Sequence, residues 1–139
     1  MFSPDGRWIA YRSNESGSEE IYVRPYPQRS GKWLVSTGGG LYQIWSNNGR
    51  ELFYQTLDNH IMAVDYVVNG DSFIPGKPRV WSDKKLYSAG ITTNWALAPD
   101  GKRFAVFLPP EVAGAETGSV HVTFLLNFFD ELRRRLPPI

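Results

Sequence analysis

His60 and His121 are the only imidazoles in a chain of 139 residues that contains no cysteine. Hydrolysis through a nucleophilic serine needs that serine on a Gly-x-Ser-x-Gly elbow beside a histidine and a carboxylate, and no such pentapeptide occurs. The missing cysteine removes thiolate catalysis, disulfides and cysteine-based zinc sites, and neither histidine stands at a zinc-ligand spacing. His60 follows Asp58-Asn59 at an expected hairpin and His121 begins an expected strand, so they read as a turn residue and a strand-face residue. Asp5 and Asp100 could serve as paired carboxylates, yet each stands between a proline and a glycine, where a carboxylate caps backbone amides. Gly38-Gly39-Gly40 lacks the Lys-Ser/Thr and the helix of a phosphate loop and reads as a flexible link. Asn14-Glu15-Ser16 fits a glycosylation sequon, but solvation of a polar loop explains it equally. These residues name no catalytic group, no cofactor and no metal.

The elements around them are repetitive. Three segments run from an aromatic residue through a glycine turn into an apolar strand: Phe2-Ser3-Pro4-Asp5-Gly6-Arg7-Trp8-Ile9-Ala10-Tyr11, Trp45-Ser46-Asn47-Asn48-Gly49-Arg50-Glu51-Leu52-Phe53-Tyr54, and 95–107 around Pro99-Asp100-Gly101. The turn glycines stand at 6, 49 and 101, a spacing of 43 and then 52 residues, the size of a four-stranded propeller blade. Proline presets the second turn position, aspartate bonds backbone amides, and glycine tolerates the exit conformation. Aromatics alternating across each sheet are then expected to pack neighbouring blades face to face through Trp45, Phe53, Trp95 and Phe104.

Short apolar runs, 14% aromatic residues, 13 glycines and 10 prolines predict an all-β protein. Expected strands are 8–11, 21–26 and 33–36; then 42–45, 51–56, 61–67 and a last one near 79–81; then 93–98, 103–108 and 120–126. The blade pieces are 1–37, 38–81 and 90–126. A C-terminal helix is expected over 127–136, capped by Asn127, with Asp130 and Glu131 in its first turn and Arg133 to Arg135 near its end. Phe128, Phe129, Leu132 and Leu136 form the stripe that would dock it, on its own sheet or on a partner. Fifteen Lys plus Arg against 14 Asp plus Glu give a net charge of +1, which argues against nucleic acid as a partner. No secretory signal and no apolar run long enough to span a bilayer is present in this segment, so no membrane contact by it is expected, and cytoplasmic and extracytoplasmic locations are both compatible.

At these turns the chain resembles the bacterial WD40-like propeller repeats typified by the TolB propeller. Their signature is an aromatic-Ser-Pro-Asp-Gly turn, a basic residue, and an Ile/Phe-Ala-Tyr/Phe strand. Phe2 to Tyr11 matches throughout, the third copy has Ala98 for serine, and the second has Asn47-Asn48 for Pro-Asp. Phe73 to Trp81, the 99–104 turn and Leu126 to Leu132 are also similar to the C-terminal propeller end attached to bacterial serine/threonine kinases. The resemblance implies a non-catalytic propeller segment for protein or ligand recognition, in a sensor or signalling protein, with any kinase activity outside this chain. No kinase Gly-rich loop, His-Arg-Asp or Asp-Phe-Gly occurs. Alternatives are an accessory propeller of a serine peptidase and a TolB-like envelope scaffold. Propellers close with about four to eight blades, so the remaining blades are expected upstream, with Met1 internal or a truncated start, or from a second copy. A ligand is expected against the loops 14–20, 38–41 and 84–92.

Overall fold

The computed structural model describes residues 1–27, 30–87 and 93–106. These are all-β. Strands β1 (Trp8–Ser13), β2 (Glu20–Pro25) and β3 (Trp33–Leu34) form an antiparallel sheet in that order. Strands β4 (Leu41–Trp45), β5 (Glu51–Gln55), β6 (Ile61–Asn69), β7 (Ser72–Pro75) and β8 (Arg79–Ser82) form a second, and β9 (Trp95–Leu97) pairs β10 (Phe104–Val106) in a third. The expected strand 120–126 and the helix 127–136, with Phe128, Phe129, Leu132 and Leu136, lie outside the described residues.

The expected three, four and three strands of the blade pieces meet sheets of 3, 5 and 2 strands among the described residues. The second sheet gains a strand because the turn at Asn69 sends the chain straight back as β7, which pairs the far half of β6 while β8 pairs its near half. Residues 72–75 carry no strand in the sequence reading. In the first sheet the chain before the turn contributes only a bridge, Phe2 to Ile9, and the Ala10 amide donates to the Met1 carbonyl at 2.9 Å.

Strand β5 of the middle sheet is buried on both faces. Side chains alternate along β5, so Leu52 and Tyr54 join Trp8, Ala10, Ile21 and Val23 in one core, while Phe53 joins Ile61, Ala63, Leu86 and Trp95 in another. Trp45, Phe53 and Trp95 are buried and Phe104 packs half-buried against the second core, so all four expected aromatics lie between sheets. Burying a side chain of this size is worth roughly 1.5–3 kcal/mol, which no single sheet of this size could collect alone. Phe73, on the unexpected strand, is 1% exposed and touches the rings of Trp8, Trp33, Trp45 and Tyr66. Burial, with Asp5 nearby, pushes the Tyr66 hydroxyl up to about 12.

Candidate functional site

The three repeat turns share one backbone. Gly6, Gly49 and Gly101 each donate to the carbonyl three residues earlier, at 2.9, 3.1 and 2.9 Å, with φ of 70°, 66° and 67°. That left-handed conformation is why glycine recurs there. Asp5, Asn48 and Asp100 each accept the amide two residues on, at 3.1, 2.9 and 3.0 Å. The carboxylates are therefore engaged in turn capping, and they stand in separate turns. At Asp5 burial raises the pKa, but the Ser3 hydroxyl and the Arg7 amide and guanidinium outweigh it, and the net shift is downward. At Asp100 the Lys102 amide and Arg103 lower it. Pro4 and Pro99 are exposed at their expected turn positions.

The hairpin expected at Asp58-Asn59 proves to be a fourth turn of this kind. Thr56-Leu57-Asp58-Asn59 has asparagine in the glycine position at φ 71°, and the Thr56 hydroxyl donates to Asp58 at 2.6 Å while accepting the His60 amide at 2.9 Å. His60 Nδ1 lies 2.9 Å from Asp58 Oδ2, so this histidine is a turn residue, as its position suggests. The Thr56 hydroxyl is the main cause of the lowered Asp58 pKa.

The glycine run is a fastened link rather than a flexible one. Glu20, only 6% exposed, accepts the Gly39 amide at 3.0 Å and the Ser36 hydroxyl, and Ser36 Oγ also accepts the Ile21 amide at 2.7 Å. A Cβ on Gly40 would stand 2.7 Å from Ile21 and 2.8 Å from Ser36 Oγ, so only glycine fits. Sequence reasoning missed Glu20, because a glutamate opening a strand gives no sign that a loop 19 residues later will wrap it.

What a ligand could use lies along one edge strand of each of the three sheets. A cleft of about 330 Å³ is lined by Met1 beside β1, Arg12 on β1, Tyr42 and Gln43 on β4, and Thr93 just before β9. Tyr42 has φ 50°, strain uncommon for a bulky residue. It falls within the register shift between Leu41 and Ile44, which turns β4 out of regular pairing at this point. Gln43 Nε2 donates to the Ala10 carbonyl at 3.1 Å and Arg12 pairs with Glu19 at 3.2 Å, so the donors are held in place. A guanidinium, a phenol, a carboxamide and a hydroxyl can orient a polar ligand by hydrogen bonding. No cluster of three potential metal ligands occurs among the described residues. Of the loops expected to line a ligand site, 14–20 and 38–41 contribute no residue to the cleft, and residues 88–92 of the third lie outside the described residues. Lys84 and Leu86 instead line a separate hollow of about 210 Å³ with Ile61, Trp81, Phe104 and Val106. The signal for Tyr42 was weak, since nothing in Leu41-Tyr42-Gln43 marks a left-handed residue.

Comparison with family models, with curated proteins and with solved structures gives no match to this chain.

Proposed function

We propose that this chain is a segment of a β-propeller that recognises a polar ligand or a protein segment without catalysing a reaction, as part of a bacterial sensor or signalling protein. The observation that carries the reading is the cleft lined by Arg12 on β1, Tyr42 and Gln43 on β4 and Thr93 just before β9, so that three face-to-face sheets contribute to it. Stacked sheets hold such donors at fixed spacing, and the guanidinium favours a carboxylate on the ligand. The three glycine turns, equivalent in hydrogen bonding, support the repeat on which the propeller reading rests.

The test is an NMR titration with short acetylated peptides, one carrying glutamates and one with glutamines in their place, alongside turnover assays with chromogenic esters and peptides. Shifts at Tyr42, Gln43 and Thr93 with the acidic peptide, lost in Arg12→Ala, support the reading. Turnover of either substrate class, or shifts confined to other regions, overturns it. The coding frame around the chain separates the roles: kinase motifs upstream support signalling, whereas a hydrolase domain downstream points to an accessory propeller instead.

A further inference from the structure

The two junctions between sheets are built from the same repeat positions. Counting from the turn glycines, Ile9 and Tyr11 correspond to Leu52 and Tyr54 and to Phe104 and Val106. Leu52 and Tyr54 pack toward the first sheet, and Phe104 and Val106 pack toward the second. On the first sheet the inward residues are Trp8 and Ala10, so alternation puts Ile9 and Tyr11 on its outer face. There Tyr11 stacks on its cross-strand partner Tyr22, with ring centroids 5.8 Å apart. At the other end, Ala105 corresponds to Ala10, and with its cross-strand partner Ala96 it lies exposed on the side of the third sheet away from the second. Among the described residues no further sheet covers either face.

We infer that the outer face of the first sheet, centred on Tyr11, docks on the Ala105 face of the third sheet of a second copy of this chain, head to tail. The occupant follows from the internal junctions. Ala10 lies in one core with Tyr54, and Ala105 with Tyr11 of another copy would repeat that pairing of a small position with a tyrosine. The two faces are different patches, so the contact is heterologous. Three positions depart from the pattern: Arg24, paired with Ile9, stands where Val64 is paired with Leu52, and its guanidinium lies 5.7 Å over Tyr11; Lys32, paired with Glu15 at 2.7 Å, lies 5.2 Å over the Tyr22 ring that stacks on Tyr11; and Arg103, paired with Asp100, stands two residues after its turn glycine where the first repeat has Trp8. These charges weaken the junction, because docking removes them from water.

Sedimentation equilibrium of the full chain is expected to show concentration-dependent association. Tyr11→Glu and Ala105→Glu are each expected to be monomeric, yet their equimolar mixture is expected to form a 1:1 dimer, since one intact face remains on each. That rescue also shows that both variants fold. Arg24→Val is expected to tighten association about tenfold, equivalent to about 1.4 kcal/mol. A wild-type chain that is monomeric throughout overturns the inference, as does association abolished by Tyr11→Glu but untouched by Ala105→Glu. Neither result bears on ligand recognition in the cleft.

Discussion

The two junctions that flank the middle sheet differ in how completely they are closed. Between the first and second sheets ten residues form a fully buried core, sealed by Phe73 from the β6–β7 hairpin and held at its edge by Glu20 and Ser36. Between the second and third sheets, among the described residues, five are fully buried and six more, including Trp81 and Phe104, pack around them half-exposed. The second junction carries a polar chain of its own: Trp95 Nε1 donates to Gln55 at 3.1 Å, and Gln55 donates to Asn59 at 2.8 Å. Among the described residues, similar repeat positions therefore give a more fully buried contact on one side of β5 than on the other. The difference arises from residues outside the repeat, above all Phe73.

Truncating that residue sharpens the contrast most. Phe73→Ala is expected to cost about 3–5 kcal/mol, since its cavity is walled by rings that cannot all collapse into it. Phe104→Ala, at the more open junction, is expected to cost about 2 kcal/mol. Urea unfolding at matched pH measures both, and Phe73→Leu at about 1–2 kcal/mol serves if the alanine variant does not fold. Equal costs for the two alanine variants would break the distinction.

Next in size is the fastening of the first junction. Glu20→Gln presents an amide N–H₂ to donors that need an acceptor, and it is expected to lose about 1–3 kcal/mol. The loss should come with faster hydrogen exchange at Gly39 and Ile21, whose amides depend on this network.

How much of this was legible follows from where each signal resides. The three turns could be read because a capping aspartate or asparagine and a glycine, with a proline in two of them, act within four residues, and the face-to-face aromatics because alternation is local. Phe73 could not, since its burial depends on Trp8 and Trp33 of another sheet, and Ser72–Pro75 is too short to show a period. The hairpin at Asp58-Asn59 was legible, but its likeness to the three glycine turns was concealed by Asn59 in place of glycine. The cleft was concealed because Tyr42 adopts a conformation that its residue type does not advertise.

The turns supply a smaller test. Ser3 Oγ donates to Asp5 at 2.6 Å and accepts the Trp8 amide at 3.0 Å, whereas the equivalent Ser46 Oγ is buried with no partner among the described residues. Its would-be acceptor is Asn48, whose oxygen holds the Arg50 amide and whose nitrogen turns to Glu51. Ser3→Ala is therefore expected to cost about 1 kcal/mol and Ser46→Ala about zero, as read from paired denaturation curves. The third copy carries alanine at this position, Ala98.

The smallest effect is on pH dependence. Asp5 has a folded pKa below its ordinary 3.8, so its contribution is complete above about pH 4 and is lost as the pH falls through the folded value. Asp5→Asn is expected to flatten the stability profile below pH 4, and an unchanged slope there would show that the Ser3–Asp5 turn does not stabilise the fold.

Hydrogen exchange of the full chain at Leu52, Phe53 and Tyr54 tests most directly whether β5 is enclosed from both sides. The predicted result is protection at these amides as strong as any in the molecule, reached only through global unfolding. Exchange there as fast as at Trp33 and Leu34 of the two-residue edge strand would contradict the stacked arrangement.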